Sequence, residues 1–246
     1  MKADPEAQRR LLDLQEIDTT LAQLAHRRKN LPELAQLDKL AREISAQSDE
    51  RVRAQVDVDD LDRDIAKQER EVDTVRQRLA KDRQRLDEGR LPARELTAIE
   101  HEVGALQRRQ SDLEDVEIEL MERREQAQAV LEAVQARLTA AGAERDEVER
   151  AKAEKLAEIG REEEWKASAR KPLVADLPAD LVALYDKIRE AGGGLGAALV
   201  RHGRCGGCRI ELAGADRARV KSAAPDEVIR CEECRRIMVR TVESGL

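Results

Sequence analysis

Residues 37–86 read LDKLAREISAQSDERVRAQVDVDDLDRDIAKQEREVDTVRQRLAKDRQRL, and the spacing of their apolar side chains decides the fold. Steps of three and four alternate through Leu37, Leu40, Ile44, Gln47, Arg51, Ala54, Val58, Leu61, Ile65, Gln68, Val72, Val75, Leu79, Asp82 and Leu86, and eleven of these fifteen positions are apolar. A helix keeps so long a stripe on one side only by winding around a partner, so the run predicts a coiled coil rather than the surface helix of a globule.

Toward the N-terminus the seam changes phase. Leu31, Leu34 and Leu37 are spaced three and three, and Pro32 removes an amide donor at that point, so a break is expected between Asn30 and Glu33. Before it, Leu14, Ile17, Leu21, Leu24, Arg28 and Leu31 resume heptad spacing. Asp4, Pro5 and Glu6 supply an N-cap, a first-turn proline and an acidic first turn for the helix that carries them.

Toward the C-terminus, Gly89 tolerates the left-handed conformation that ends a helix, and Leu91-Pro92 restarts the chain. A second seam follows through Leu96, Ile99, Val103, Leu106, Gln110, Leu113, Glu117, Leu120, Arg124, Ala127, Leu131, Val134, Leu138, Ala141, Arg145 and Val148. Two seams of similar length around a short joint predict an antiparallel coiled-coil hairpin over residues 1–170, turning near 89–92. Its arms would be about 115 to 125 Å long at about 1.5 Å per residue. Facing residue numbers should sum to about 180, with Gln68 opposite Gln110 as a polar layer. Parallel pairing of each helix with a second chain is the alternative, and the short joint argues against it.

Composition agrees. Of 246 residues 39% are charged, there is no Phe, and Trp165 and Tyr185 are the only aromatics, which is the chemistry of long helices rather than of a conventional core. The regular apolar spacing opposes disorder. No leader-like stretch opens the sequence and no segment has the roughly 20 apolar residues of a membrane span, so a cytoplasmic protein without membrane contact is expected.

Beyond the hairpin, Lys171-Pro172 and Leu177-Pro178 are expected to bracket a break. Residues 171–194 then read as a linker with a short helix from about Pro178 to Glu190, burying Leu181, Leu184, Tyr185 and Ile188. Gly192-Gly193-Gly194 should end it, since no Lys-Ser or Lys-Thr follows to make a phosphate loop.

Residues 195–246 hold all the cysteines, as Cys205-Gly-Gly-Cys208 and Cys231-Glu-Glu-Cys234 with 22 residues between the pairs. Each pair is a turn that aims two thiolates at one point, and two such turns make a tetrahedral cage for one structural Zn²⁺. A redox dithiol would need a single pair in a βαβ unit, and disulfides an oxidising compartment. His202, three residues before Cys205, could compete as a ligand, but four sulfurs already close the site. The short segments Leu199-Val200-Arg201, Ile210-Glu211-Leu212, Val228-Ile229-Arg230 and Ile237-Met238-Val239 flank the knuckles as candidate hairpin strands. They carry too little apolar area to be stable without metal.

The stretches Leu14-Gln15-Glu16-Ile17-Asp18, Ala93-Arg94-Glu95-Leu96, Leu113-Glu114-Asp115, Met121-Glu122 and Leu184-Tyr185, with the four cysteines, resemble the bacterial C4-type zinc-ribbon family with an N-terminal coiled-coil hairpin. The resemblance covers nearly the whole chain and implies its mostly α architecture and its zinc ligands. A flagellar member of that family looks like a chaperone of the sigma-54 transcription factor that also associates with messenger RNA. The partner does not transfer, because coiled coils are reused for many clients. The family usually follows its last cysteine with Gly-Arg-Ile-Leu, whereas here Arg235 replaces the glycine and must adopt a conformation glycine takes more freely.

These residues point to a non-enzymatic zinc-binding adaptor or chaperone-like protein; a purely structural spacer is the alternative. Residues 195–246 carry ten basic and seven acidic side chains, and a metal cage of four thiolates would leave that segment near +1, against −10 for the remainder. That is weaker than the footprint of a duplex-binding module. Arg201, Arg204, Arg209, Arg217, Arg219, Lys221, Arg230, Arg235, Arg236 and Arg240 are the candidates for contact with nucleic acid, but the lack of Phe removes the usual stacking platforms, so a protein client is preferred. His26, His101 and His202 form no nucleophile-base constellation, so no enzyme is expected.

Overall fold

The computed structural model of the chain describes residues 1–90 and 92–245. Leu91, in the expected Leu91-Pro92 joint, and Leu246, at the end of the cysteine-bearing segment, lie outside the described residues. Helices α1 (Pro5–Lys29), α2 (Pro32–Glu88) and α3 (Ala93–Ala175) form the coiled-coil hairpin. Contacts group the chain into two units, residues 35–149 and residues 1–34 with 150–246.

In the 35–149 unit, α2 and α3 pair along the expected seams. Each α2 seam position is buried or half-buried, and Ala54 and Val58 pack on Leu131 and Ala127. Cross-helix ion pairs run in antiparallel order: Arg137–Glu50 at 2.8 Å, Arg124–Asp62 at 3.0 Å, Arg76–Glu114 at 3.2 Å, then Arg78–Glu102. Exposed pairs contribute only about 0.2–1 kcal/mol each, so burial of the seam dominates and the charges set register. The expected Gln68–Gln110 layer is corrected. Gln68 Nε2 donates to the Leu113 carbonyl at 2.7 Å and Gln110 Nε2 to Glu114 at 2.7 Å. A helical carbonyl keeps a second lone pair, which Gln68 takes in preference to another side-chain amide.

In the other unit, α1 is capped by Asp4, whose Oδ1 accepts the Glu6 amide at 2.7 Å. It stops at Lys29; Asn30 turns the chain at φ −119°, ψ 34°, and Pro32 opens α2 at its first position, so the break falls where the proline predicted it. Leu24, Leu31 and Ile159 close the seam there. Ion-paired residues sum to 180 at Arg78–Glu102 but to between 186 and 191 at Arg137–Glu50, Arg124–Asp62, Arg76–Glu114, Glu33–Lys155 and Arg28–Glu163, so the facing register lies somewhat above the expected 180.

Pro172 does not break α3, contrary to expectation. The helix runs through it for one further turn, with Asp176 N–H on the Pro172 carbonyl at 3.0 Å. Only the bond to the Ser168 carbonyl is forfeited, and Ser168 is exposed, so water can replace it. The break comes at Leu177-Pro178. Helix α4 (Ala179–Ala191) then buries Leu181, Val182, Tyr185 and Ile188, leaves Leu184 half-buried, and is capped by Gly192.

The C-terminal segment forms strands β1 (Ala197–Arg201), β2 (Arg204–Cys205), β3 (Ile229–Arg230) and β4 (Ile237–Val239) in the order β2-β1-β4-β3. Hairpins β1–β2 and β3–β4 are antiparallel, and β1 joins β4 in parallel, with Ala198 opposite Met238. His202 and Gly203, at φ 50° and 70°, make the two-residue turn between β1 and β2. Of the expected strand Ile210-Glu211-Leu212 only a bridge from Glu211 to Arg204 forms, because Arg204 and Cys205 take the edge beside β1 instead. Helix α5 (Gly214–Ser222), unforeseen, links the two hairpins.

One face of the sheet, with Val200, Ile229 and Met238, packs within the C-terminal segment, and the other packs on the helices. Leu11 and Leu14 of α1, Leu181, Tyr185 and Ile188 of α4, Ala197 of β1, and Ile237 and Val239 of β4 share one buried cluster, worth about 1.5–3 kcal/mol per large side chain. The first residues join it too: Ala3 N–H reaches the Asp226 carbonyl at 2.8 Å, and Val228 N–H reaches that of Met1 at 3.1 Å.

Candidate metal centre

Two knuckles with the same backbone bonding carry the cysteines. In the first, Arg209 N–H donates to the Cys205 carbonyl at 2.7 Å and Cys205 N–H to that of Ile210 at 3.0 Å. In the second, Arg235 N–H donates to the Cys231 carbonyl at 2.9 Å and Cys231 N–H to that of Arg236 at 3.0 Å. In both, the arginine after the second cysteine is left-handed, Arg209 at φ 62° and Arg235 at φ 60°. The glycines of the first knuckle answer to close approach. A Cβ on Gly206 would lie 2.6 Å from the Leu199 carbonyl oxygen, and one on Gly207 would lie 2.6 Å from Cδ of Arg236. Glu232 and Glu233 are exposed, so the second knuckle tolerates side chains.

The structure brings Cys205, Cys208, Cys231 and Cys234 together as free thiols, all four sulfurs within 4.8 Å of one another. Cys205 Sγ lies 3.7 Å from Cys234 Sγ, and Cys208 Sγ lies 3.9 Å from Cys231 Sγ. Zinc–sulfur bonds of about 2.3 Å in a tetrahedron separate the sulfurs by about 3.8 Å, so this donor set fits one zinc ion. Four sulfurs fill every position, leaving none for substrate or water. Among the described residues the cluster holds no histidine; His202 sits in the β1–β2 turn.

Burial pushes the Cys205 thiol up to about 12 and raises Cys231 as well. Burial acts on Cys234 in the same direction, but the Arg236 amide and the three neighbouring thiols together hold it down at about 7. Bound zinc would supply the positive charge that lets all four sulfurs ionise together. The thiols sit in a core of Val200, Val220, Ile229 and Met238 that excludes water from the cage.

Sequence reasoning missed the polar side chains that hold the site to the helices. Gln15 Oε1 accepts Gly196 N–H at 2.7 Å and Ala197 N–H at 3.3 Å, while its Nε2 donates to the Gly194 carbonyl at 2.9 Å, fixing the entry to β1. Asp18, almost wholly buried, takes Arg170 through two nitrogens at 2.7 and 3.3 Å and lies 3.5 Å from Arg189. Gln8 donates to the carbonyls of Ala3 and Pro225 at 2.9 and 3.3 Å. The available signal was the stretch 14–18 that carried the family resemblance, since polar residues repeating on an otherwise apolar helix face need partners.

Most ribbon cations bond within the chain. Arg240 donates to five carbonyls, those of Val220, Ala223, Ala224, Pro225 and Glu227, between 2.6 and 3.4 Å. Arg236 bridges Gly192 and Leu195 at 2.7 and 3.1 Å, Arg217 reaches Gly245 at 2.7 Å, and Arg230 bonds the Arg235 carbonyl at 2.9 Å. Arg219 pairs with Glu232 at 3.0 Å, Arg204 with Glu211 at 3.5 Å and Arg201 with Glu243 at 3.6 Å.

Residues 14–193 match the CT398-like coiled coil hairpin domain and residues 204–238 the C4-type zinc ribbon domain. The chain is 40% identical to protein MT2288 of Mycobacterium tuberculosis over 240 residues, 98% of each, and 31% identical to ML1638 of Mycobacterium leprae over 89% of this chain and 94% of that one. A solved structure from Mycobacterium smegmatis superposes with a TM-score of 0.84 at 39% identity, over 98% of this chain and all of that one. CT398 of Chlamydia trachomatis shares the fold, with a TM-score of 0.65 at 19% identity over 96% and 98% of the two chains.

Proposed function

Since the chain belongs to the family of CT398-like coiled coil hairpin proteins with a C4-type zinc ribbon, we propose that it is a cytoplasmic, non-enzymatic adaptor or chaperone-like protein that binds a protein client. One structural zinc ion would stabilise the ribbon, and the hairpin and the ribbon would both offer binding surface. The observation that carries a protein client over nucleic acid is the disposition of the ribbon cations. Arg217, Arg236 and Arg240 hold main-chain carbonyls, and Arg201, Arg204 and Arg219 face carboxylates. Those contacts hold part of each guanidinium and offset part of its charge, which lowers the gain from a phosphate at these positions. No step of covalent chemistry belongs to this reading, because a closed four-sulfur cage gives a substrate no coordination position.

Deleting residues 195–246 would expose Leu11, Leu14, Leu181 and Tyr185, so truncation is a poor test. A photo-crosslinking side chain placed singly at exposed positions, Lys187 and Arg209 near the ribbon and Val56 and Ile118 on the hairpin, leaves the fold intact. In the native cell, discrete protein adducts at a subset of positions are the expected result. No adduct at any position would leave the purely structural spacer, and adducts to RNA alone would replace the protein client with nucleic acid.

A further inference from the structure

We propose that the cleft between α4 and the second knuckle captures a short client segment in which aliphatic side chains are flanked by carboxylates, an inference that rests on the adaptor reading. The cleft encloses about 340 Å³, and its floor is apolar, made by Leu184, Ile188 and Ala191 on successive turns of α4. Lys187, Arg230 and Arg235 line it as cations. An apolar floor beside three cations is complementary to a peptide that offers both chemistries, and the volume suits a few side chains rather than a folded surface.

Arg235 is the telling residue. Its backbone is left-handed, which glycine adopts freely and arginine does not. The knuckle bond from its N–H to the Cys231 carbonyl is open to any residue, glycine included. Its guanidinium is exposed and, among the described residues, pairs with the exposed Glu232 alone, at 3.3 Å. Arg209 repeats the conformation in the first knuckle, so strain alone does not single out Arg235; its place beside Arg230 and Lys187 over an apolar floor does. A nucleic acid would gain little here, because phosphates do not fill an apolar floor and no aromatic side chain lines the cleft for a base to stack on.

The test uses zinc-loaded full-length protein and fluorescein-labelled hexapeptides Glu-Asp-X-X-Asp-Glu, with X drawn from Leu, Ile and Val, read by fluorescence anisotropy. Saturable binding is expected, weakened at least tenfold by Arg235→Gly, by Leu184→Asp, and by replacing the peptide acids with Gln. Arg235→Gly should retain zinc and unfold at the same or a higher temperature, which separates recognition from folding. Absence of saturable binding, or binding indifferent to both variants, overturns the proposal, as does displacement of the peptide by a hexauridylate that binds more tightly. The two readings fail separately: adducts confined to the hairpin positions would end the cleft and leave the adaptor, whereas no adducts anywhere would end the adaptor.

Discussion

Asp18 of α1 accepts the hydroxyl of Tyr185 of α4 at 2.9 Å, joining side chains 167 residues apart at a point where both are buried. Arg170 of α3 and Asp186 of α4 complete the network through a bond of 3.1 Å, so one carboxylate ties three helices together. Asp18→Ala takes the acceptor from the Tyr185 hydroxyl and from Arg170 Nε, leaving Arg170 and Arg189 to share Asp186, and should destabilise the 1–34/150–246 unit by about 3 kcal/mol, whereas Tyr185→Phe should cost about 1–2 kcal/mol. Urea unfolding of the single and double variants should show a coupling of about 1 kcal/mol between them.

Burial, followed by the bond to Asp18, holds the Tyr185 hydroxyl above its ordinary pKa of 10.0. In the unfolded chain the phenol ionises near that ordinary value while the folded protein keeps the proton, so its contribution is complete below about pH 10 and falls as pH rises beyond it. The urea midpoint of the wild type should therefore drop more steeply between pH 9 and 11 than that of Tyr185→Phe. Equal slopes would show that the phenol is not held protonated by the fold.

Protein purified without chelator should contain one zinc ion per chain by elemental analysis. Cys231→Ser should lose it, together with hydrogen-exchange protection of β1 to β4. Because β1 and β4 share their core with α1 and α4, protection of those helices should weaken as well, while residues 35–149 stay protected. Full zinc content in Cys231→Ser would remove that sulfur from the ligand set.

Arg240→Ala strips a shared donor from five carbonyls around the end of α5 and should cost about 2 kcal/mol. Arg240→Lys should recover little of this, because an ammonium cannot span the same fork. Neither substitution is silent toward folding, so a loss of nucleic-acid binding in either would not identify a phosphate contact. Denaturation midpoints of the two variants measure the effect.

A zero-length carbodiimide should join Lys155 to Glu33 within a single chain, since the two side chains pair across the hairpin. Mass spectrometry of a mixture of isotopically light and heavy protein distinguishes the cases. Mixed-label crosslinks would mean that the helices pair between chains.

The seams were legible because burial recurs along each helix with heptad spacing, and of the α3 seam positions from Leu96 to Val148 only Arg145 is exposed. The joints could be read from Asn30, Pro32 and Gly89, residues whose backbone preferences act locally, and the knuckles from cysteine spacing. What escaped notice depends on partners distant in sequence. The parallel pairing of β1 with β4, the strand-like docking of Met1 to Ala3 beside Asp226 to Val228, and the roles of Gln15 and Asp18 leave no periodic trace. Pro172 was misread for the opposite reason: a local rule was applied where a solvated carbonyl relaxes it.

The shared core of α1, α4, β1 and β4 also imposes an order on synthesis. Leu11 and Leu14 leave the ribosome early, yet the surfaces that cover them, Ile237 and Val239 among them, are made more than 200 residues later. Helices α2 and α3 can zip from their joint as soon as both exist, because those contacts are close in sequence. The apolar face of α1 is covered in part once α4 is made, and fully only when β4 is complete and the fourth thiol is available to metal. For that interval the nascent chain carries a sticky helix whose shelter depends on zinc supply, and metal scarcity would register first as aggregation of newly made protein rather than as damage to protein already folded.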